Sequence, residues 1–191
     1  MRSVVSRALI PLCALLVAAS LAAAGSPAPG GLAPGGSAPD FTLKNLAGDE
    51  IHLADKLEGG PVLLDFWATW CKPCLRALPG TERLHEAYKD RGLTVLTVNV
   101  DSPRSTAKVR SYVKSKGFSF EVLLDPNSGM MRLYHFQSIP QVFLLDSDGS
   151  IAYSQLGYAP GHEQKLAEEI EKLLAPAAGG EPSGTEATDQ S

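Results

Sequence analysis

Between Asp40 and Leu174 the chain changes hydrophobic rhythm repeatedly, and each rhythm predicts an element. "DFTLKNLAGDEIHLADKL" alternates on either side of Ala47 to Asp49 and predicts two short strands around a turn. "PVLLDFWA" is almost uniformly apolar over strand length, the pattern of a strand covered on both faces. From Cys71 to about Asp90 the spacing of Leu75, Leu78, Leu84 and Tyr88 suits one face of a helix, which Gly92 closes. "LTVLTVNV" is a second buried strand. Ser102-Pro103 then offers an N-cap and a first-turn proline for a helix ending near Gly117. "FSFEVLLD" predicts a third buried strand, followed by a short helix through Met130, Met131 and Leu133. "QVFLLDSDGSIAYSQ" is two strands around an Asp-Gly turn, and Leu166, Ile170, Leu173 and Leu174 form the stripe of a last helix.

Strands alternating with helices imply an α/β sheet covered on both faces, and the closing hairpin adds an antiparallel edge. The order βαβ then ββα is that of a thioredoxin-type fold. An N-terminal β-hairpin extension and a central strand-helix insertion surround it.

The ends differ from this domain. Arg2 and Arg7 precede an apolar run from Ala8 to Ala24 that ends in small residues, the layout of a secretory signal or an uncleaved membrane anchor over residues 1–24. Residues 25–36 are rich in Gly, Pro and Ala and read as a linker. The thioredoxin-like domain is expected over 37–175, and 176–191, with no large apolar side chain, as a disordered tail. Either reading of 1–24 puts the domain outside the cytoplasm, in the periplasm or cell envelope. Cys13 then falls in the signal, so Cys71 and Cys74 are the cysteines of the folded part. The net charge of -4 becomes more negative without Arg2 and Arg7, and no Lys/Arg run remains, which argues against nucleic acid as a partner.

Chemistry concentrates in "DFWATWCKPC", Asp65 to Cys74. A cysteine at a helix start faces unpaired N–H groups and the positive end of the helix dipole, which favours thiolate. Cys71 has that position, Lys72 adds positive charge, and Pro73 stiffens the turn. Cys74 is placed to close a tight disulfide ring and resolve a mixed disulfide formed on Cys71. A structural staple is the bland alternative, but so small a ring restrains the unfolded chain little. Zinc would need about four ligands, whereas His52, His85, His135 and His162 are scattered and expected at the surface. No metal is expected, and no cofactor beyond the redox-active Cys71–Cys74 disulfide.

From Ser37 to Leu174 the sequence resembles the TlpA/ResA-like, bacterial extracytoplasmic thiol-disulfide oxidoreductases. "SAPDFTL" with "LAGDEIHLAD" resembles their N-terminal hairpin, "FWATWCKPC" their active site, and "FEVLLDPNSGMMRLYHFQSIPQVFLLDSDGSI" their insertion and the strands beyond. The resemblance implies that Asp65, six residues before Cys71, is the buried acid that takes the Cys74 proton through water. It implies that Pro79 kinks the active-site helix, and that Pro140 is a cis-proline presenting the Ile139 backbone to a substrate chain. Trp70 and Trp67 flank the site. The activity implied is reduction of protein disulfides by Cys71, Cys74 and Asp65. Implied partners are protein substrates, apocytochrome c among them, and a membrane thiol-electron donor.

Three rival functions fit parts of the pattern. A disulfide oxidase would use the same residues in reverse, which Lys72 would favour by stabilising the reduced form. A thiol peroxidase is suggested by "APDFTL", but the threonine expected three residues before a peroxidatic cysteine is replaced by Ala68 or, counting from Cys74, by Cys71. A copper-binding assembly factor would join both thiolates to His135.

Overall fold

The computed structural model describes residues 31–175. The expected signal or anchor, Cys13, the first part of the linker and the expected tail lie outside the described residues. Seven strands form one sheet: β1 (Thr42–Asn45), β2 (Glu50–His52), β3 (Val62–Trp67), β4 (Thr94–Asn99), β5 (Glu121–Leu124), β6 (Gln141–Leu145) and β7 (Ile151–Leu156). Among the described residues five α-helices accompany them: α1 (Leu53–Leu57), α2 (Lys72–Tyr88), α3 (Thr106–Lys116), α4 (Gly129–Leu133) and α5 (His162–Leu174).

The strand order is β2-β1-β5-β4-β3-β6-β7. Parallel pairing joins β3, β4 and β5, while β1, β6 and β7 run antiparallel to their neighbours. This is the expected thioredoxin-type arrangement: β3-α2-β4 and β6-β7-α5 at its heart, β1-β2 as the N-terminal hairpin, and β5 with α4 inserted between. The apolar run of β3 is buried along its whole length, as a strand hydrogen-bonded to β4 on one side and β6 on the other should be. One face of α2 buries Leu78, Leu84 and Tyr88 against the sheet, and α5 buries Leu166 and Ile170. An aromatic cluster fills the space near β3 and β6, with the Phe66 and Phe136 rings 4.7 Å apart and those of Tyr134 and Phe143 5.3 Å apart.

Three local expectations change. After only three residues of β2 the chain turns into α1, where Leu53 is buried, its N–H bonded to the Phe41 carbonyl at 3.1 Å. Burying Leu53 in this way ends the alternation read as a longer strand. Ser102 does not cap a helix directly: a 3-10 turn at Pro103–Ser105 intervenes, and its hydroxyl instead meets that of Ser105 at 3.4 Å.

The third change concerns the linker expected over residues 25–36. Its described part, from Gly31, is docked on the domain. Leu32 N–H bonds to Tyr134 O at 3.1 Å and Gly35 N–H to Ile151 O at 2.9 Å. Gly31 has φ +87°, and a Cβ there would stand 2.8 Å from the Phe143 ring. Glycine, read from composition as linker material, is here what lets the backbone approach the aromatic cluster.

Candidate active site

The site forms where β3 ends and α2 begins. Cys71 occupies the N-cap of α2 in extended conformation, φ -87° and ψ 94°, followed at once by Lys72 and Pro73 in the first turn. Proline suits this position because its missing N–H would be unpaired there anyway. Cys71 and Cys74 are joined in a disulfide with Cα atoms 5.3 Å apart. The Cys74 N–H points at Cys71 Sγ, 3.2 Å away, and the first turn contains no acidic side chain. On reduction the same N–H and the helix dipole would support a thiolate on Cys71.

The two cysteines are not equivalent. Cys71 is 5 % exposed and Cys74 1 %, and Trp70, immediately before Cys71, is 65 % exposed. Trp67 is fully buried and packs against Tyr112, so it belongs to the core, whereas Trp70 projects from the surface beside the disulfide. The Ile139–Pro140 peptide is cis, and Ile139 O lies 3.8 Å from Cys71 Sγ. In the disulfide this sulfur carries no proton, so that approach is a contact and becomes a hydrogen bond only with a reduced, protonated thiol.

Asp65 lies in the middle of β3, 2 % exposed, paired in register with Thr97 of β4 and Val142 of β6. The Thr81 hydroxyl donates to its Oδ2 at 2.7 Å. Burial pushes the Asp65 carboxyl up from 3.8 to about 6, and the Thr81 hydrogen bond offsets part of that rise. Cys74, Leu78 and Thr81 follow one face of α2 at helical spacing and are all buried. Asp65 also borders a cavity of about 260 Å³ walled by α2, Pro140 and Val142 of the β6 region, and the segment between β7 and α5.

A second buried acid holds the loop that carries the cysteines. Asp101, just beyond β4, accepts from the Thr69 N–H at 2.7 Å, the Thr69 hydroxyl at 2.7 Å and Asn99 Nδ2 at 2.9 Å. Asn99 Oδ1 in turn accepts from the Asp101 N–H at 3.1 Å. Thr69 is thereby pinned two residues before Cys71.

The sequence singles out Asp65, Trp70, Lys72, Pro73, Ile139 and Pro140 along with the cysteines, but not Thr69, Thr81, Asn99 and Asp101. The short spacing in "NVD" at the end of a buried strand was the available signal, since polar residues entering a buried region need partners. Among the described residues, no group of three or more His, Cys, Asp or Glu side chains is placed to hold a metal ion, and His135 is exposed.

Residues 34–154 match the model of the AhpC/TSA family. The chain belongs to that family. Within it, the chain is 33 % identical over 139 residues to the thiol-disulfide oxidoreductase ResA of Halalkalibacterium halodurans, covering 73 % of this chain and 76 % of that protein. It is 31 % identical over 118 residues to the sporulation thiol-disulfide oxidoreductase A of Bacillus subtilis, covering 61 % of this chain and 70 % of that protein. Among solved structures, a Chlorobium tepidum protein assigned as a thiol:disulfide interchange protein, DsbE, superposes with a TM-score of 0.69 at 34 % identity, covering 75 % of this chain and 99 % of that one. StoA from Bacillus subtilis superposes with a TM-score of 0.59 at 29 % identity, covering 70 % of this chain and 98 % of that one. The chain is therefore a ResA/StoA-like thiol-disulfide oxidoreductase of thioredoxin fold, and Cys71–Cys74 is its CxxC pair.

Proposed function

We propose that this oxidoreductase reduces protein disulfides outside the cytoplasm. The Cys71 thiolate attacks one sulfur of the substrate disulfide, that bond breaks, and the departing substrate thiolate takes a proton from water. Cys74, its proton transferred to Asp65, then attacks Cys71 Sγ and releases the second substrate thiol. The substrate gains two electrons and the Cys71–Cys74 pair is left as the disulfide. Trp70 and the Ile139–Pro140 backbone receive the substrate chain, while Lys72 and Pro73 shape the first turn of α2.

The observation that carries this reading is the asymmetry of the pair. The Cys71 sulfur is the one that receives the Cys74 N–H, sits beside an exposed tryptophan and approaches the Ile139 carbonyl. Export rests on residues 1–24, which serve as signal or anchor, and resetting the pair falls to a membrane thiol donor. Apocytochrome c is one candidate substrate. A peroxidase role is disfavoured because the threonine nearest Cys71, Thr69, donates its hydroxyl to Asp101.

Trapping tests the role. Cys74→Ala in the full chain should accumulate mixed disulfides through Cys71, identifiable by mass spectrometry, and recovery of none from the native envelope would remove the exchange role. Titration against glutathione tests direction. A reductase is expected to have a potential well below that of strong periplasmic oxidants, and a potential near theirs would make the protein an oxidase.

A further inference from the structure

A protein substrate bound at Trp70 and Ile139 would cover Cys71 and close that approach to water. None of Trp70, Cys71, Cys74 or Ile139 borders the cavity beside Asp65; it meets the substrate-receiving segment at Pro140, and its other walls include Ala77 of α2, Val142 of β6 and Tyr158 between β7 and α5. We infer that this cavity is a solvent port through which Asp65 exchanges protons with bulk water while substrate occupies the cysteine face. The inference rests on the proton role proposed for Asp65.

Two features point this way. The side-chain partner of the Asp65 carboxyl is Thr81, two turns beyond Cys74 on the same face of α2, and not a cysteine, so water is the carrier between thiol and acid. The cavity, at about 260 Å³, has room for several waters. The balance is simple. Cys74 gives its proton through water to the Asp65 carboxylate, and the acid so formed releases that proton into the cavity, restoring the carboxylate for the next turnover.

The charged and titratable groups around Asp65 are Arg76 and Arg83 from α2, Tyr158 from the connecting segment, and His162 and Glu163 from α5. The flanking Thr97 and Val142 are uncharged. Arg83 is ion-paired with Glu163, and His162 Nδ1 accepts from the Ala159 N–H at 3.0 Å and from Gln155. Glu163, the other carboxyl on the rim, is thus held by Arg83, which leaves Asp65 as the acid that the port serves.

Filling the cavity tests this. Ala77→Leu narrows it from the helix side and Val142→Phe from the sheet side. In full-length protein, the pH midpoint for resolution of a mixed disulfide with a chromogenic aryl thiol should rise by about one unit in both, which from a midpoint near 6 is about fivefold slower resolution at pH 6. The first attack by Cys71, measured in a Cys74→Ala background, should be unchanged. Folded Ala77→Leu and Val142→Phe proteins with the parental midpoint would overturn the port, even if Asp65→Asn abolishes the pH-dependent step and so upholds the acid itself. A parental pH profile in Asp65→Asn would instead remove the proton role on which the port depends.

Discussion

Asp65 and Asp101 are buried acids of adjoining strand segments, and their surroundings differ in one respect that separates chemistry from architecture. Asp101 receives three donors, two from Thr69 and one from Asn99, so its negative charge is fully engaged in fixing the loop before Cys71. Asp65 receives one side-chain donor, from Thr81, and burial pushes its carboxyl up to about 6. Burial alone does not mark a working acid; the number of donors offered to its charged form does. A carboxylate with three donors behaves as a strut. One with a single donor stays poised to take a proton near neutral pH.

The contrast predicts opposite outcomes for removing the two charges. Asp101→Ala strands the Thr69 N–H, the Thr69 hydroxyl and the Asn99 amide in a buried region, and should lower stability by about 4 kcal/mol. Urea unfolding of the oxidised protein measures this. Alkylation of reduced Cys71 should slow in the same variant as its loop loosens. Stability within about 0.5 kcal/mol of the parent, the level of an ordinary surface change, would show that the network is not a strut.

Asp65→Asn should do the reverse to stability. A carboxyl whose pKa is raised by folding binds its proton more tightly when folded, so its favourable contribution is present below pH 4 and is lost as pH rises through about 6. Above that range the parent keeps a buried, ionised carboxylate. The asparagine variant should therefore be more stable by about 3 kcal/mol at pH 8 and close to the parent at pH 3.5, read from unfolding midpoints at the two pH values. Its disulfide-exchange turnover should lack the rise with pH centred near 6 that is expected of the parent. An equal stability change at both pH values would mean that Asp65 is not the titrating group.

Local chemistry made half of this site readable in advance. Cys71, Lys72, Pro73 and Cys74 lie within four consecutive positions, and Asp65 lies one strand length before them, so their relation survives any reasonable placement of elements. The partners that distinguish the two acids come from farther away. Thr81 reaches Asp65 across 16 residues and Thr69 reaches Asp101 across 32, and such pairings depend on how α2 lies on β3 and how β4 pairs with it. The same limit explains the fold-level differences. Period-two and helical patterns located all seven strands and four of the five α-helices of the described residues. The five residues of α1 are too few to show a helical period, and the docking of Gly31 depends on Phe143, more than a hundred residues later.

The smallest expected effect isolates the single donor that Asp65 does have. Thr81→Val keeps the shape of the side chain and removes its hydroxyl, so both protonation states of Asp65 lose a hydrogen bond, but the charged state loses the stronger one. Stability should fall by about 2 kcal/mol at pH 8 and by about 1 kcal/mol at pH 3.5, with the Asp65 midpoint displaced upward by about 0.7 units to match the difference. Carboxyl ¹³C shifts followed through a pH titration read that midpoint directly. Thr81→Ser, which restores the hydroxyl while leaving a methyl-sized gap, should return the midpoint to the parental value even where stability stays slightly low. If valine and serine shift the midpoint equally, Thr81 supports Asp65 by packing alone, and the difference between the two acids must then lie in desolvation rather than in donor number.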